Sequence, residues 1–436
     1  MSTHDTAGTG VGAETDTVPT EQRDCVIVGG GPAGVMLALI LARAGVKVTV
    51  LEKHRDFLRD FRGDTVHAST IRLMDELGLG AAFAALPQDR LGNVELPLGR
   101  GTTVTLADFG RLRPPYDYIA MIPQWDLLDF LVDQARAEPT FEIRMQAEMT
   151  RLLTDRGTCT GVEYVDHATG ARRRLTAPLT VACDGRGSLA RQQAGLVPKE
   201  FFVPFDTWWF RLPRHEGERQ RSSLMPVFGQ GEIMLSLVRN RFFQIAYFRE
   251  KGADARLRDE GIERFRDRVA RMRPDLADRV DAIGSMDDVH LLDVKLNRLR
   301  RWYRPGLLLI GDAAHAMSPA GGVGINLAVQ DAVAAAARLA APLRSGTVTA
   351  RDLAAVQRRR YPPTVIVQAV QRVLQALIFG PAVQGERATP PAGLLFLARH
   401  VPGFSGLPAR LIALGPRPEH APAFARRPAR PAAPAR

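Results

Sequence analysis

Lysine is nearly missing from this 436-residue chain: five of its 58 basic residues are lysine and the rest are arginine. Cysteine is as scarce, with Cys25, Cys159 and Cys183 far apart. Three scattered thiols form no CxxC pair for a redox dithiol or a zinc ribbon, and an odd number argues against a disulfide framework. A reducing, cytoplasmic setting is expected. No group of His, Cys and acid has metal-ligand spacing, so no metal is expected. No apolar run of about 18 residues appears, so no membrane span is expected; the apolar stretch 393–415 is interrupted by Arg399, His400, Pro402, Pro408 and Arg410. Residues 1–23 lack the basic start and apolar centre of a secretory leader. A second GxGxxG and internal repeats are also lacking.

The net charge of +11 invites a nucleic-acid reading. Its distribution excludes one: the charge lies in mixed-sign runs such as 259–273, which read as solvated helix faces, and in the arginine-rich end 416–436. What remains is ordinary globular material, 45% hydrophobic and 24% charged, long enough for two to four domains of roughly 100–200 residues.

The sharpest local signal opens the folded part. Residues 24–30 read as a buried strand and 32–44 as a helix, with Val35, Met36, Leu39 and Ile40 at helical spacing and Gly45 as its stop. Residues 47–51 form a second strand that ends at Glu52. Between strand and helix lies Gly29-Gly30-Gly31-Pro32-Ala33-Gly34, a GxGxxG through Gly29, Gly31 and Gly34. In a β-α-β unit with an acid at the end of the second strand, that pattern is a dinucleotide fingerprint. The first glycine permits the turn, the second lets backbone approach a pyrophosphate at the helix N-terminus, and the third lets helix pack on strand. Pro32 at the helix start costs no hydrogen bond, and Glu52, followed by Lys53, is placed to accept from ribose hydroxyls.

Two further motifs follow buried strands. Residues 179–183 lead into Asp184-Gly185-Arg186-Gly187-Ser188, and 307–310 into Gly311-Asp312-Ala313-Ala314-His315, then Pro319-Ala320-Gly321-Gly322-Val323-Gly324-Ile325-Asn326. With these three motifs in this order, the chain resembles the group A FAD-dependent aromatic hydroxylases typified by para-hydroxybenzoate hydroxylase, over roughly residues 24–345.

The resemblance implies an α/β fold: a Rossmann-like FAD-binding domain assembled from 24–90, 110–198 and 291–345, and a β-sheet substrate domain from 91–109 and 199–290. Helices are expected over 346–415, and disordered tails at 1–23 and 416–436. It implies non-covalent FAD held by Gly29, Gly31, Pro32, Ala33, Gly34, Glu52, Lys53, Arg62, Gln124, Asp184, Gly311, Asp312, Gly322, Val323, Gly324, Ile325 and Asn326. Arg62 and Pro319 stand as catalytic candidates beside the flavin ring. The family often has arginine directly after the glutamine that matches Gln124; here it is Trp125. His67 and His290 are candidate bases for a phenol, each with a structural role as the stronger reading, and the same weighting applies to His315. Trp209, Arg211, Phe243 and Tyr247 are candidates for the pocket under the sheet.

The activity implied is NADPH- or NADH-consuming hydroxylation or epoxidation of an aromatic or polycyclic small molecule with dioxygen, by way of a flavin hydroperoxide, in secondary metabolism. The expected protein is a monomer or homodimer with no nucleic-acid partner. The alternatives are a flavin oxidase or dehydrogenase, or a cyclase that keeps FAD as a structural ligand.

Overall fold

The computed structural model describes residues 18–58, 65–99, 102–215, 217–218, 223–239, 241–386 and 391–428. Its organising element is a six-stranded sheet in the order Tyr303–Arg304, Leu307–Leu309, Leu179–Ala182, Cys25–Val28, Val48–Leu51, Phe141–Arg144. All neighbours run parallel except the first pair. Cys25–Val28 and Leu307–Leu309 are apolar along their length, and Val48–Leu51 is apolar but for Thr49, because both faces are covered. The helices Pro32–Arg43, Gln124–Arg136 and Gly324–Arg344 share one buried cluster with the sheet. On Val26, Val28 and Ala182 sits a meander, Ala147–Asp155, Thr158–Asp166 and Ala171–Thr176, with Trp302 wedged between. Phe141–Arg144 joins the central sheet, while the strands that follow it form the meander.

A second, five-stranded sheet runs Pro226–Phe228, Ile233–Val238, Phe242–Glu250, Phe205–Pro213, His290–Leu292. Its register assigns faces. Trp208 pairs with Tyr247, Phe210 with Ile245 and Leu212 with Phe243; these pack on Leu257, Phe265 and Val269 of the helical segment Asp254–Met272. That segment is two helical pieces meeting at Gly261, whose φ is 80°; the second piece carries most of the mixed-sign run 259–273, read above as a helix face. Phe205, Thr207, Trp209 and Arg211 occupy the opposite face, by the period-two alternation of a strand. The strand Asn93–Gly99 pairs with Thr102–Asp108 on one side and Ser223–Leu224 on the other.

Both expected tails need correction where they are described. Thr20–Gln22 is a strand, parallel to Arg174–Thr176. Arg23 donates to Thr49 and Glu142, and Arg144 to Glu21. At the other end, residues 416–428 dock on the body. Ala421 and Ala425 are buried, Phe424 packs on the main cluster, and Glu419 pairs with Arg359 and Arg360. Arg43 donates to the Ala425 carbonyl at 2.9 Å, and Glu76 accepts from the Ala421 N–H at 2.7 Å. Phe424 is the segment's one bulky apolar residue, so composition reads it as disordered; backbone hydrogen bonds and charge hold it together with that ring. Residues 1–17 and 429–436 lie outside the described residues.

Among the described residues one helical stretch, 350–383, is by length and composition apolar enough to cross a bilayer, against the expectation of no such segment. Its Arg360, Gln368 and Gln371 are buried and hydrogen-bonded into the body of the protein.

Candidate functional site

The three motifs meet at the carboxyl ends of adjacent parallel strands. Val28 leads to Gly29, Ala182 to Asp184, Leu309 to Gly311 and Leu51 to Glu52, in four neighbouring strands. Such strand ends are where open α/β sheets bind ligands. Glycine enforces the closeness. A Cβ on Gly29 (φ 102°) would lie 2.4 Å from the Cys183 carbonyl oxygen, and one on Gly34 would lie 2.0 Å from the Gly29 oxygen. A Cβ on Gly31 would meet nothing within 4 Å, so the middle glycine faces open space above the turn. Gly311 (φ 58°) approaches Ala33, which brings Asp312 to the start of the Pro32–Arg43 helix.

Glu52 does more than sequence reading assigns to it. It is buried, and its oxygens accept from the N–H groups of Gly30 at 2.9 Å and His54 at 3.0 Å. It therefore fixes the glycine turn while keeping lone pairs for hydroxyl donors. Asp184 accepts from Ala190 N–H through Oδ2, while its Oδ1 is buried with no hydrogen-bond partner among the described residues. Burial pushes its carboxyl above the usual range, against hydrogen bonds from Ser188 and Ala190. An acceptor left bare beside a glycine turn suits a hydroxyl-rich ligand. A glycine cradle at a helix N-terminus, ringed by Glu52, Asp184 and Asp312, fits a dinucleotide such as FAD. Lys53 is exposed.

The segment 319–326 is the second wall. Gly322 (φ 61°) is held by Thr65, whose hydroxyl donates to its carbonyl at 2.8 Å; a Cβ there would strike that hydroxyl at 2.5 Å. Asn326 accepts from His67 N–H at 2.9 Å and from the Thr70 hydroxyl at 2.7 Å, so its side chain joins 65–70 to this segment. Ile325 packs in the main core, and Val323 packs with Leu327 and Val367. What 319–326 offers a flavin is backbone, including the N-terminus of the helix Gly324–Arg344. Gln124 opens its helix half-buried, and the Trp125 ring lies 5.6 Å from the Arg211 guanidinium, across from the second sheet. Arg62 lies outside the described residues.

His67 and His315 are held in contacts within the fold. His67 is buried, with Nδ1 2.7 Å from the Ile412 carbonyl; burial lowers its pKa to about 4, against the hydrogen bond to Ile412. His315 stacks near Trp302, and its Nε2 lies 2.6 Å from Asp331. Asp331 also accepts from Gly311 N–H at 3.1 Å and from Arg360 at 2.9 Å. Burial works against this carboxylate, yet His315 and Arg360 hold its pKa below the usual range. This network, missed from sequence, ties the Gly311-Asp312 turn to the helix Ala350–Leu374. The only trace in the sequence is an acid and a histidine flanking an alanine-rich helix start. His290 lies on a strand beside Trp209.

Of the four pocket candidates, Trp209 and Arg211 lie on the face opposite the helices. Phe243 and Tyr247 are corrected: both pack against the outer helical layer, where Tyr247 bonds Glu232 and meets Phe265 edge-on. Among the described residues no cluster of His, Cys, Asp and Glu forms a metal site.

A family model described as "FAD binding domain" matches residues 22–370. The chain is 34% identical to 6-methylpretetramide 4-monooxygenase of Streptomyces rimosus, over 85% of this chain and 88% of that one. Among solved structures, the anhydrotetracycline hydroxylase OxyS of Streptomyces rimosus aligns with a TM-score of 0.69 at 25% identity, covering 90% of this chain and 76% of that one. The Diels-Alderase PyrE3 aligns with a TM-score of 0.68 at 22% identity, covering 89% and 80%, which speaks to fold alone.

Proposed function

Because the chain belongs to the FAD-binding family of para-hydroxybenzoate hydroxylase-like monooxygenases, we propose that it hydroxylates a polycyclic aromatic of the polyketide type. NADPH or NADH is the proposed reductant. The overall reaction is substrate C–H + O2 + NAD(P)H + H+ giving substrate C–OH + NAD(P)+ + H2O. Bound FAD supplies the redox chemistry and the activation of dioxygen.

The protein's own work is binding, orientation and exclusion of water. The first-turn N–H groups of the Pro32–Arg43 helix face the proposed pyrophosphate. Glu52 and Asp312 accept from the sugar and ribityl hydroxyls, and Asp184 presents its bare oxygen to the same cofactor. Gln124 and Lys53 flank it. The N-terminal end of the Gly324–Arg344 helix, with its first-turn N–H groups, favours negative charge on the ring system. Pro319, which starts this segment, and Arg62 remain the proposed groups beside the reacting atoms. The inner face of the five-stranded sheet is the proposed cover that keeps water from the reaction.

The observation that carries this reading is the convergence of Gly29, Asp184 and Asp312 on one glycine cradle. The substrate class rests on the relative named for 6-methylpretetramide. A monomer or homodimer in the cytoplasm is the proposed setting. The test is NAD(P)H oxidation by the FAD-loaded enzyme with 6-methylpretetramide and, separately, anhydrotetracycline. Stimulation with formation of a product carrying one added oxygen is expected; no stimulation by either overturns the substrate class.

A further inference from the structure

The helix Ala350–Leu374 and the turn after it carry a buried polar stripe: Arg360, Thr364, Gln368, Gln371 and Gln375. Their spacing of three or four residues keeps them on one face. Four of the five are engaged. Arg360 pairs with Asp331, and Thr364 bonds back to the Arg360 carbonyl. Gln368 donates to the Asn297 carbonyl at 2.7 Å and the Ala316 carbonyl at 3.2 Å. Gln371 donates to the carbonyls of Ser318 and Ala320, each at 2.8 Å. The stripe thus runs along 316–320 toward the glycine segment of the site. Gln375 stands one turn further. It is 2% exposed, and both its Oε1 and Nε2 are buried with no hydrogen-bond partner among the described residues.

A primary amide has two donors and two acceptor lone pairs, and burying it unpaired opposes folding. Leucine would fill this position without that cost. The backbone is also unusual here. Gln375–Phe379 is a π-helical turn closed by the Gly380 N–H on the Gln375 carbonyl. Pro381 follows; it has no N–H to continue the α-helical ladder, and its ring crowds the carbonyl four residues earlier. The extra residue of a π turn absorbs that clash, and such turns recur at functional sites.

The opposite wall is polar in the same way. On the inner face of the second sheet, Trp209 Nε1 and Thr207 Oγ1 are also buried with no partner among the described residues. Trp209, Met317 and Phe379 pack against one buried cluster that holds Phe205 and Phe248. Phe379, one turn from Gln375, has its ring centroid 5.0 Å from that of Phe205. Phe379, which follows Gln375 by four residues, and Met317, which precedes Pro319, therefore share one packed layer with Trp209 of the sheet.

Resting on the monooxygenase reading above, we infer that Gln375 is a substrate-binding residue, pairing with Trp209 to hold a polycyclic ligand with a hydroxyl next to a carbonyl. The amide accepts from the hydroxyl and donates to the carbonyl; the indole N–H, a donor only, takes a second oxygen. Gln375 stands beyond residue 370, outside the segment matched to the family.

The experiment compares FAD-loaded wild type with Gln375→Leu, using 6-methylpretetramide and anhydrotetracycline as probes. FAD content, melting temperature without probe, probe affinity, and hydrogen peroxide released per NAD(P)H are measured. The inference expects unchanged FAD content, a melting temperature equal to or above wild type, affinity weakened about tenfold, and more peroxide. A melting temperature lowered by several degrees makes Gln375 structural and overturns the inference. So does unchanged affinity and coupling. Failure of wild type to bind either probe overturns the polycyclic reading itself, and with it the ligand class assigned to Gln375; that result appears in the wild-type arm alone.

Discussion

Replacing Arg360 by methionine removes the centre of the buried charge network. Arg360 is fully buried and donates to Asp331 Oδ1 at 2.9 Å, Glu419 at 3.2 Å, the Arg417 carbonyl at 3.1 Å and Gln330 at 3.1 Å. Methionine fills much of the space, so the main loss is electrostatic. Breaking one partner of a buried ion pair costs about 3–5 kcal/mol. Asp331 keeps its bonds from His315 and Gly311 N–H, which puts the cost near the lower end, about 3 kcal/mol. At about 2 °C per kcal/mol for a large domain, the melting temperature falls by about 6 °C. The assay is thermal unfolding of FAD-loaded protein, repeated for Asp331→Asn and the double variant. The two sites share one network, so the double variant is destabilised by less than the sum, with a coupling of about 0.5–3 kcal/mol. A melting temperature within about 1 °C of wild type for Arg360→Met, or strict additivity, refutes the reasoning.

Asp312→Ala removes the proposed ribityl acceptor and lowers FAD affinity about ten- to hundredfold, read by equilibrium titration of apoprotein; unchanged affinity removes Asp312 from the site. His67 is neutral when buried, with a folded pKa of about 4 against an ordinary 6.5. The unfolded chain then binds more protons between those values, so stability is full above pH 6.5 and falls by roughly 3 kcal/mol as pH drops toward 4. Denaturant midpoints of His67→Gln lack that component of the acid slope; identical slopes contradict the burial argument. Deleting residues 416–436 strips Glu419 and the Ala421 and Ala425 contacts and lowers the melting temperature measurably, whereas a merely disordered end predicts no change.

The glycine fingerprint, the Asp184 and Asp312 motifs and the strands feeding them were legible because each is local: a short apolar run followed by residues whose backbone geometry admits few alternatives. The convergence of three distant motifs also followed, since one cofactor needs all three. What stayed hidden is non-local. Nothing near Phe243 or Tyr247 says which sheet face meets the helices; that depends on register with 205–213, and a one-residue shift exchanges the faces. The 416–428 segment docks through backbone carbonyls and Glu419, features composition does not weigh. Gln375 is one of several polar residues in its helix, and its burial without a partner among the described residues sets it apart. Asn326 matched a motif position, yet its side chain fastens 65–70 rather than reaching outward.

The central claim is that this chain inserts an oxygen atom from dioxygen, and isotope labelling tests it most directly. Turnover of a stimulating polycyclic substrate by FAD-loaded enzyme and NAD(P)H under labelled dioxygen should give product carrying one labelled atom, with none incorporated from labelled water in the reciprocal experiment. Product formed without dioxygen, or formed under it without label, would contradict the monooxygenase account and point instead to dehydrogenation or cyclisation on the same fold.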